Sequence, residues 1–138
     1  MGDPRPSLLA WLQSGEEPVA GLFLDVDGTL ERGGAALPRA AETLAWLHQT
    51  GLPFVLLTND GNHSPEEKAA SLAHVGLAVT PAEIVSCADA ITDYARDHSL
   101  RGHPVFVMGD LGDPCYAERA GLQPVRRLAD LGDCAGVI

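Results

Sequence analysis

The feature that most constrains this chain is a rhythm. Short apolar runs occur at residues 19–26, 53–57, 105–108 and 135–138, separated by stretches with helix start and stop signals. Runs this short, closed by polar or acidic residues, suit buried strands. A short helix over 7–13 precedes the first run, with Leu8, Leu9 and Leu12 on one face and Gly15-Glu16-Glu17-Pro18 as its stop. Pro38 suits the first turn of a helix over 38–50, and Gly51 the position just past its end. Ser64-Pro65-Glu66-Glu67 is a capping box with proline at the first helical position, so a helix starts there and stops near Gly76. Thr80-Pro81-Ala82-Glu83 repeats the start signal, and further helices are expected over 88–98 and 114–120. Strands alternating with helices predict an α/β fold with a parallel sheet and helical crossovers, over 19–138, behind an N-terminal extension of residues 1–18.

In such sheets ligands sit at the carboxyl ends of strands. The residues there are Asp25 and Asp27 after the first strand, Thr58, Asn59 and Asp60 after the second, and Gly109 and Asp110 after 105–108. Asp25 and Asp27 are two apart, which in extended chain puts both side chains on one side. Gly28 permits a sharp turn or a close backbone approach to a ligand. Two carboxylates this close repel unless a cation or proton lies between them. Their oxygens suit magnesium, which takes one or two carboxylates and completes its shell with water and substrate phosphate. A carboxylate can also attack phosphorus and form an aspartyl-phosphate. Thr58 and Asn59 offer a hydroxyl and an amide to phosphoryl oxygens without adding charge.

Charge narrows the partners. Nineteen acidic against 9 basic residues give a formal net charge of −10, which argues against nucleic acid or an anionic membrane surface as partner. The same field opposes an anionic substrate, and a bound divalent cation reverses its sign locally. Cys87, Cys115 and Cys134 have no C-x-x-C spacing, so neither a zinc site nor a disulfide framework is indicated. Free thiols in a reducing compartment, no membrane-length apolar run and no signal-peptide pattern over 1–17 together predict a cytoplasmic protein.

Phe23-Leu24-Asp25-Val26-Asp27-Gly28-Thr29-Leu30 matches the first motif of the haloacid dehalogenase superfamily, and Leu56-Leu57-Thr58-Asn59 matches its second. The stretch from Leu57 through Asn62, with the Ser-Pro-Glu-Glu helix start and Thr80-Pro81-Ala82-Glu83-Ile84, resembles the subfamily of NagD-type and p-nitrophenyl phosphatases. The resemblance runs from about residue 21 onward and implies a Rossmann-like core. It implies that Asp25 is the nucleophile and a magnesium ligand. Asp27 would protonate the leaving group and then deprotonate water, its carbonyl also holding the metal. Thr58, Asn59 and Gly28 would bind the phosphoryl group of a small phosphorylated metabolite. An EF-hand calcium loop fits poorly, because the glycine comes too early and a strand rather than a helix precedes it.

The family pattern also calls for a later lysine and a late acidic motif. Lys68 is upstream of the expected lysine and reads as a solvated helix residue; Gly109-Asp110 with Asp113 comes too early for the acidic motif, and Asp113 reads as a helix cap or loop residue. The resemblance therefore implies that the cap domain, the lysine and the acidic motif lie beyond Ile138, and that the fold is incomplete at its C-terminus. Weak or absent turnover by this chain alone is expected, as is self-association through an exposed strand edge, giving a homo-oligomer. Two rival readings remain. A receiver domain would accept phosphate on Asp110. A non-catalytic binding or regulatory relative would owe its inactivity to Asp60, a carboxylate where the subfamily more often has Asn or a small residue.

Overall fold

A computed structural model describes residues 7–138. The part of the expected extension over residues 1–6 lies outside the described residues. Helix α1 (Leu8–Ser14) is capped by the Ser7 hydroxyl, which accepts from the Ala10 N–H at 3.2 Å, and it ends at Gly15 in the left-handed conformation. Leu9 is buried and Leu12 packs on the main core.

Strand β1 (Leu22–Asp25) pairs in parallel with β2 (Phe54–Thr58), and β2 with β3 (Ile84–Ser86), in the order β1-β2-β3. Helices α2 (Ala40–Thr50) and α3 (Pro65–His74) make the crossovers. Leu24, Leu56 and Ile84 point to one face and are buried with Leu44, Leu47, Leu72 and Leu77. Fully burying each such leucine stabilises the fold by about 1.5–3 kcal/mol relative to exposure. Phe23, Leu57 and Val85 point to the opposite face and remain exposed, the period-two alternation of a sheet covered on one side.

The remainder forms a second unit. After α4 (Ala90–Asp97), β4 (Pro104–Phe106) pairs in parallel with β5 (Gln123–Val125) across α5 (Tyr116–Arg119). Residues 135–138 run beside β4, with hydrogen bonds of 2.8 Å from Ala135 N to Pro104 O and 2.9 Å from Ile138 N to Phe106 O. This unit has its own core of Ala95, Val105, Val107, Ala117, Ala120 and Leu122.

Two expectations change here. The third strand of the first sheet is Ile84–Ser86, not 105–108, which belongs to the second sheet. Three residues are too short to stand out beside the Thr80 start signal, and that signal opens only a single 3-10 turn over Pro81–Glu83. Of the two roles read for Asp113, the structure gives the loop and not the cap: it lies in the turn before α5, and Cys115 takes the N-cap position with no side-chain hydrogen bond.

Candidate active site

Parallel pairing sets the carboxyl ends of β1 and β2 side by side, with Asp25 opposite Leu57. Beyond β1 the chain turns at once. The Val26 carbonyl accepts from the N–H groups of Thr29 (3.2 Å), Leu30 (2.9 Å) and Glu31 (3.2 Å), and Gly28 N–H donates to Glu31 O at 2.7 Å. Gly28 has φ +91°, a conformation natural to glycine. Buried Val26 and Leu30 pin this turn from below and leave Asp25, Asp27, Gly28 and Thr29 exposed above it.

The Thr29 hydroxyl donates to Asp25 Oδ2 at 2.9 Å. The buried Thr58 hydroxyl donates to Asp27 Oδ2 at 3.1 Å and accepts from Asp60 N–H at 3.1 Å. One residue thus joins the first-motif loop to the second-motif loop. Asp25, Thr58 and Asn59 share a shallow groove of about 310 Å³ with Leu57, Val85, Ser86 and Cys87. Asn59 is exposed, and its carbonyl accepts the Cys87 thiol at 3.2 Å. Asp27 and Gly28 lie outside that groove, so the predicted residues converge on one sheet end but line two sides of it.

Lys68 is not the solvated helix residue expected. Its side chain is 12% exposed, and its ammonium donates to Asp27 Oδ1 at 2.9 Å and Oδ2 at 3.3 Å, and to Asp60 Oδ2 at 3.4 Å. The reason is local. Helix α3 begins at the mouth of the site, its N-terminus fixed by Ser64. Helical Cα–Cβ bonds tilt toward the N-terminus, so a long side chain in the first turns reaches back over that end. The available signals were that Lys68 is the sole lysine and lies just inside the helix that follows Thr58-Asn59.

Asp60 is compensated rather than left facing a phosphate. Besides Lys68, its carboxylate accepts from Asn62 N–H at 3.1 Å and lies 2.8 Å from His63 Nδ1. Partial burial pushes its carboxyl up, but the bonds from His63 and Asn62 and the neighbouring charges hold it below the ordinary value. Asp27 behaves likewise: burial opposes ionisation, and the Lys68 bond and charge, with the Thr58 hydroxyl, prevail and lower it. Burial disfavours charged Lys68, yet its bond and charge pairing with Asp27, then Asp60, raise it.

As a metal centre the donor set is open. Among the described residues no group of three or more His, Cys, Asp or Glu side chains stands ready to hold an ion. Asp25 and Asp27 supply hard oxygens of the kind magnesium accepts when water and phosphate fill the other positions, so the residues present fit a divalent cation shared with substrate.

The premise of a receiver site fails, because Asp110 follows β4 in the other sheet. It lines a polar cleft of about 720 Å³ between the two units with Asn62, His63, Glu67 and Arg126. Gly112 N–H donates to Asn62 O at 3.0 Å, and Tyr116 Oη to His63 O at 3.1 Å, seating the second unit against the loop before α3.

A model of haloacid dehalogenase-like hydrolases matches residues 22–123. An acid sugar phosphatase of Staphylococcus saprophyticus is 29% identical over 90 residues, 65% of this chain and 34% of that protein. Among solved structures, NagD from Escherichia coli is 28% identical with a TM-score of 0.67, over 79% of this chain and 43% of its own. A glycerol phosphate phosphatase of Mycobacterium tuberculosis in complex with magnesium is 28% identical with a TM-score of 0.66, over 78% of this chain and 32% of its own. The chain thus spans about a third of the length of the curated relatives it matches. With both motifs at the ends of adjacent parallel strands and a family match across most of its length, the chain belongs to the haloacid dehalogenase-like hydrolases, on their NagD-like branch.

Proposed function

We propose that this chain carries the phosphoryl-transfer centre of a phosphatase that acts on a small phosphate ester. The observation that carries the reading is the bridge from Thr58 to Asp27 at 3.1 Å, which unites the two motifs at one sheet end beside Asp25. Asp25 Oδ1 or Oδ2 attacks phosphorus, the bond to the leaving oxygen breaks, and Asp27, which must first take up a proton because Lys68 and Thr58 hold it ionised in the resting site, passes that proton to the leaving oxygen. Water then attacks the aspartyl-phosphate, Asp27 takes back a proton, and phosphate leaves Asp25. Asn59 and the backbone at Gly28 orient the phosphoryl oxygens, while Thr58, whose hydroxyl proton is given to Asp27 Oδ2, positions that residue beside them. Magnesium, held by the Asp25 carboxylate and the Asp27 carbonyl, would supply charge neutralisation at the phosphoryl group. Acid–base help of the kind assigned to Asp27 is worth roughly a hundred- to ten-thousand-fold in rate.

The substrate class follows from the chemistry and from relatives that are sugar and glycerol phosphate phosphatases. A small phosphorylated metabolite, in a cytoplasmic setting, is the reading we adopt. Among the described residues no helix is long and apolar enough to cross a membrane.

The test is covalent. The chain is incubated with magnesium and acetyl phosphate, any acyl phosphate is reduced with borohydride, and the product is mapped by mass spectrometry. Reduction product at position 25, absent in Asp25→Asn, supports the reading. Product at Asp110 instead of position 25 would overturn the reading, and no product from a chain shown to bind magnesium would leave a non-catalytic relative as the account.

A further inference from the structure

We propose that Lys68 is a latch that exchanges Asp27 for the phosphoryl oxygens of the incoming ester, with Asp60 as its fixed pivot. The inference rests on the phosphatase reading and adds a residue to it. Both Asp27 oxygens are engaged: Oδ1 by Lys68 at 2.9 Å, Oδ2 by Thr58 at 3.1 Å and by Lys68 at 3.3 Å. A carboxylate that is to pass a proton to a leaving group needs one oxygen turned toward it. Lys68 must therefore give up Oδ1.

Each partner is built to let it go. Asp27 keeps the Thr58 hydroxyl on Oδ2. Asp60 keeps Asn62 N–H and His63, so its position does not depend on Lys68. The ammonium has three donors on a flexible stem and acts as a point charge, so it can rotate about Asp60 without a fixed fork to satisfy. It and the Thr58 hydroxyl reach the same oxygen, Asp27 Oδ2, just beyond the end of β1, so the ammonium and Thr58 at the end of β2 are neighbours. A dianionic phosphoryl group arriving beside Thr58 offers Lys68 a stronger acceptor than Asp27. Arrival of substrate and release of Asp27 then become one event. The same pairing explains Asp60, whose charge here fixes a cation instead of repelling the substrate.

Lys68 is the sole lysine of the chain, so its side-chain ammonium gives a single nitrogen signal by NMR. The chain, in magnesium chloride at constant ionic strength, is titrated with inorganic phosphate. The Lys68 ammonium, the Asp27 carboxyl carbon and the amides of Thr58 and Asn59 are expected to shift with a common midpoint. Lys68→Met is expected to weaken phosphate binding about tenfold, read from the same amides. If Thr58 and Asn59 respond while Lys68 or Asp27 does not, the latch is wrong and the phosphatase reading survives. If nothing responds, the phosphatase reading is itself wrong and the latch goes with it. The wild-type titration decides between these even where the Lys68→Met chain does not fold.

Discussion

Thr58 is buried, and its hydroxyl both donates to Asp27 and accepts from the Asp60 N–H. Thr58→Val keeps the shape and removes both bonds, leaving a partly buried N–H without its acceptor. A loss of about 1–3 kcal/mol is expected, read as a lowered urea midpoint with unchanged slope. The Asp27–Lys68 pair predicts a pH signature. Asp27 is lowered from its ordinary 3.8, so its contribution is full above that value and disappears as pH falls through the lower folded value. Lys68 is raised from its ordinary 10.5, so its contribution is full below that value and disappears as pH rises through the higher folded value. The Asp27 side chain is 40% exposed, and screening limits the pair to about 1 kcal/mol or less. The Tm difference between wild type and Lys68→Met should be largest near neutral pH and shrink toward both extremes. A difference independent of pH would mean that Lys68 acts through packing alone.

At the scale of elements, the N-terminus of α3 ties the molecule together. Ser64 Oγ accepts from Glu67 N–H at 3.2 Å and donates to Asp113 O at 2.6 Å, while Glu67 Oε2 accepts from both Ser64 N–H and Asp113 N–H. The cap that starts the helix therefore also holds the loop of the second unit. Ser64→Ala should cost about 1–2 kcal/mol and should open the 109–115 loop to proteolysis before the first unit unfolds. Gly112 makes the same contact from the other side: its φ is +75°, and a Cβ there would lie 2.7 Å from Ser64 N. Gly112→Ala should thus mimic Ser64→Ala. The capping box, β1, β2 and the residues at their ends were legible because each is local chemistry: a periodic run, a cap, a motif at fixed spacing. Ile84–Ser86 was not, since three residues become a strand only through their pairing with β2. The partners of Lys68 were equally hidden, being 41 and 8 residues away and brought near by the crossover.

At the scale of the whole molecule, the first sheet is one-sided. Strand β1 has a neighbour only in β2 among the described residues, so its outer backbone groups form an edge. That edge adjoins an uncovered face on which Phe23 is 78%, Val85 42% and Leu57 40% exposed. The strand is apolar over Leu22, Phe23 and Leu24, reaches a charge only at Asp25, and has no proline or lysine, residues that commonly protect an edge. Its amide and carbonyl groups can pair with the same edge of a second copy, and the apolar faces of two copies can then cover each other. The net charge of −10 resists this at low salt and is screened over about 10 Å at 0.1 M salt. Self-association of the chain should therefore grow with both protein and salt concentration, measured by light scattering behind size exclusion. Phe23→Lys adds a charge to the face and blunts the edge without touching the buried core, so it should shift the chain toward monomer while leaving its far-ultraviolet circular dichroism unchanged. A wild-type chain that stays monodisperse and monomeric at high concentration and high salt would show that something other than a second copy satisfies this edge.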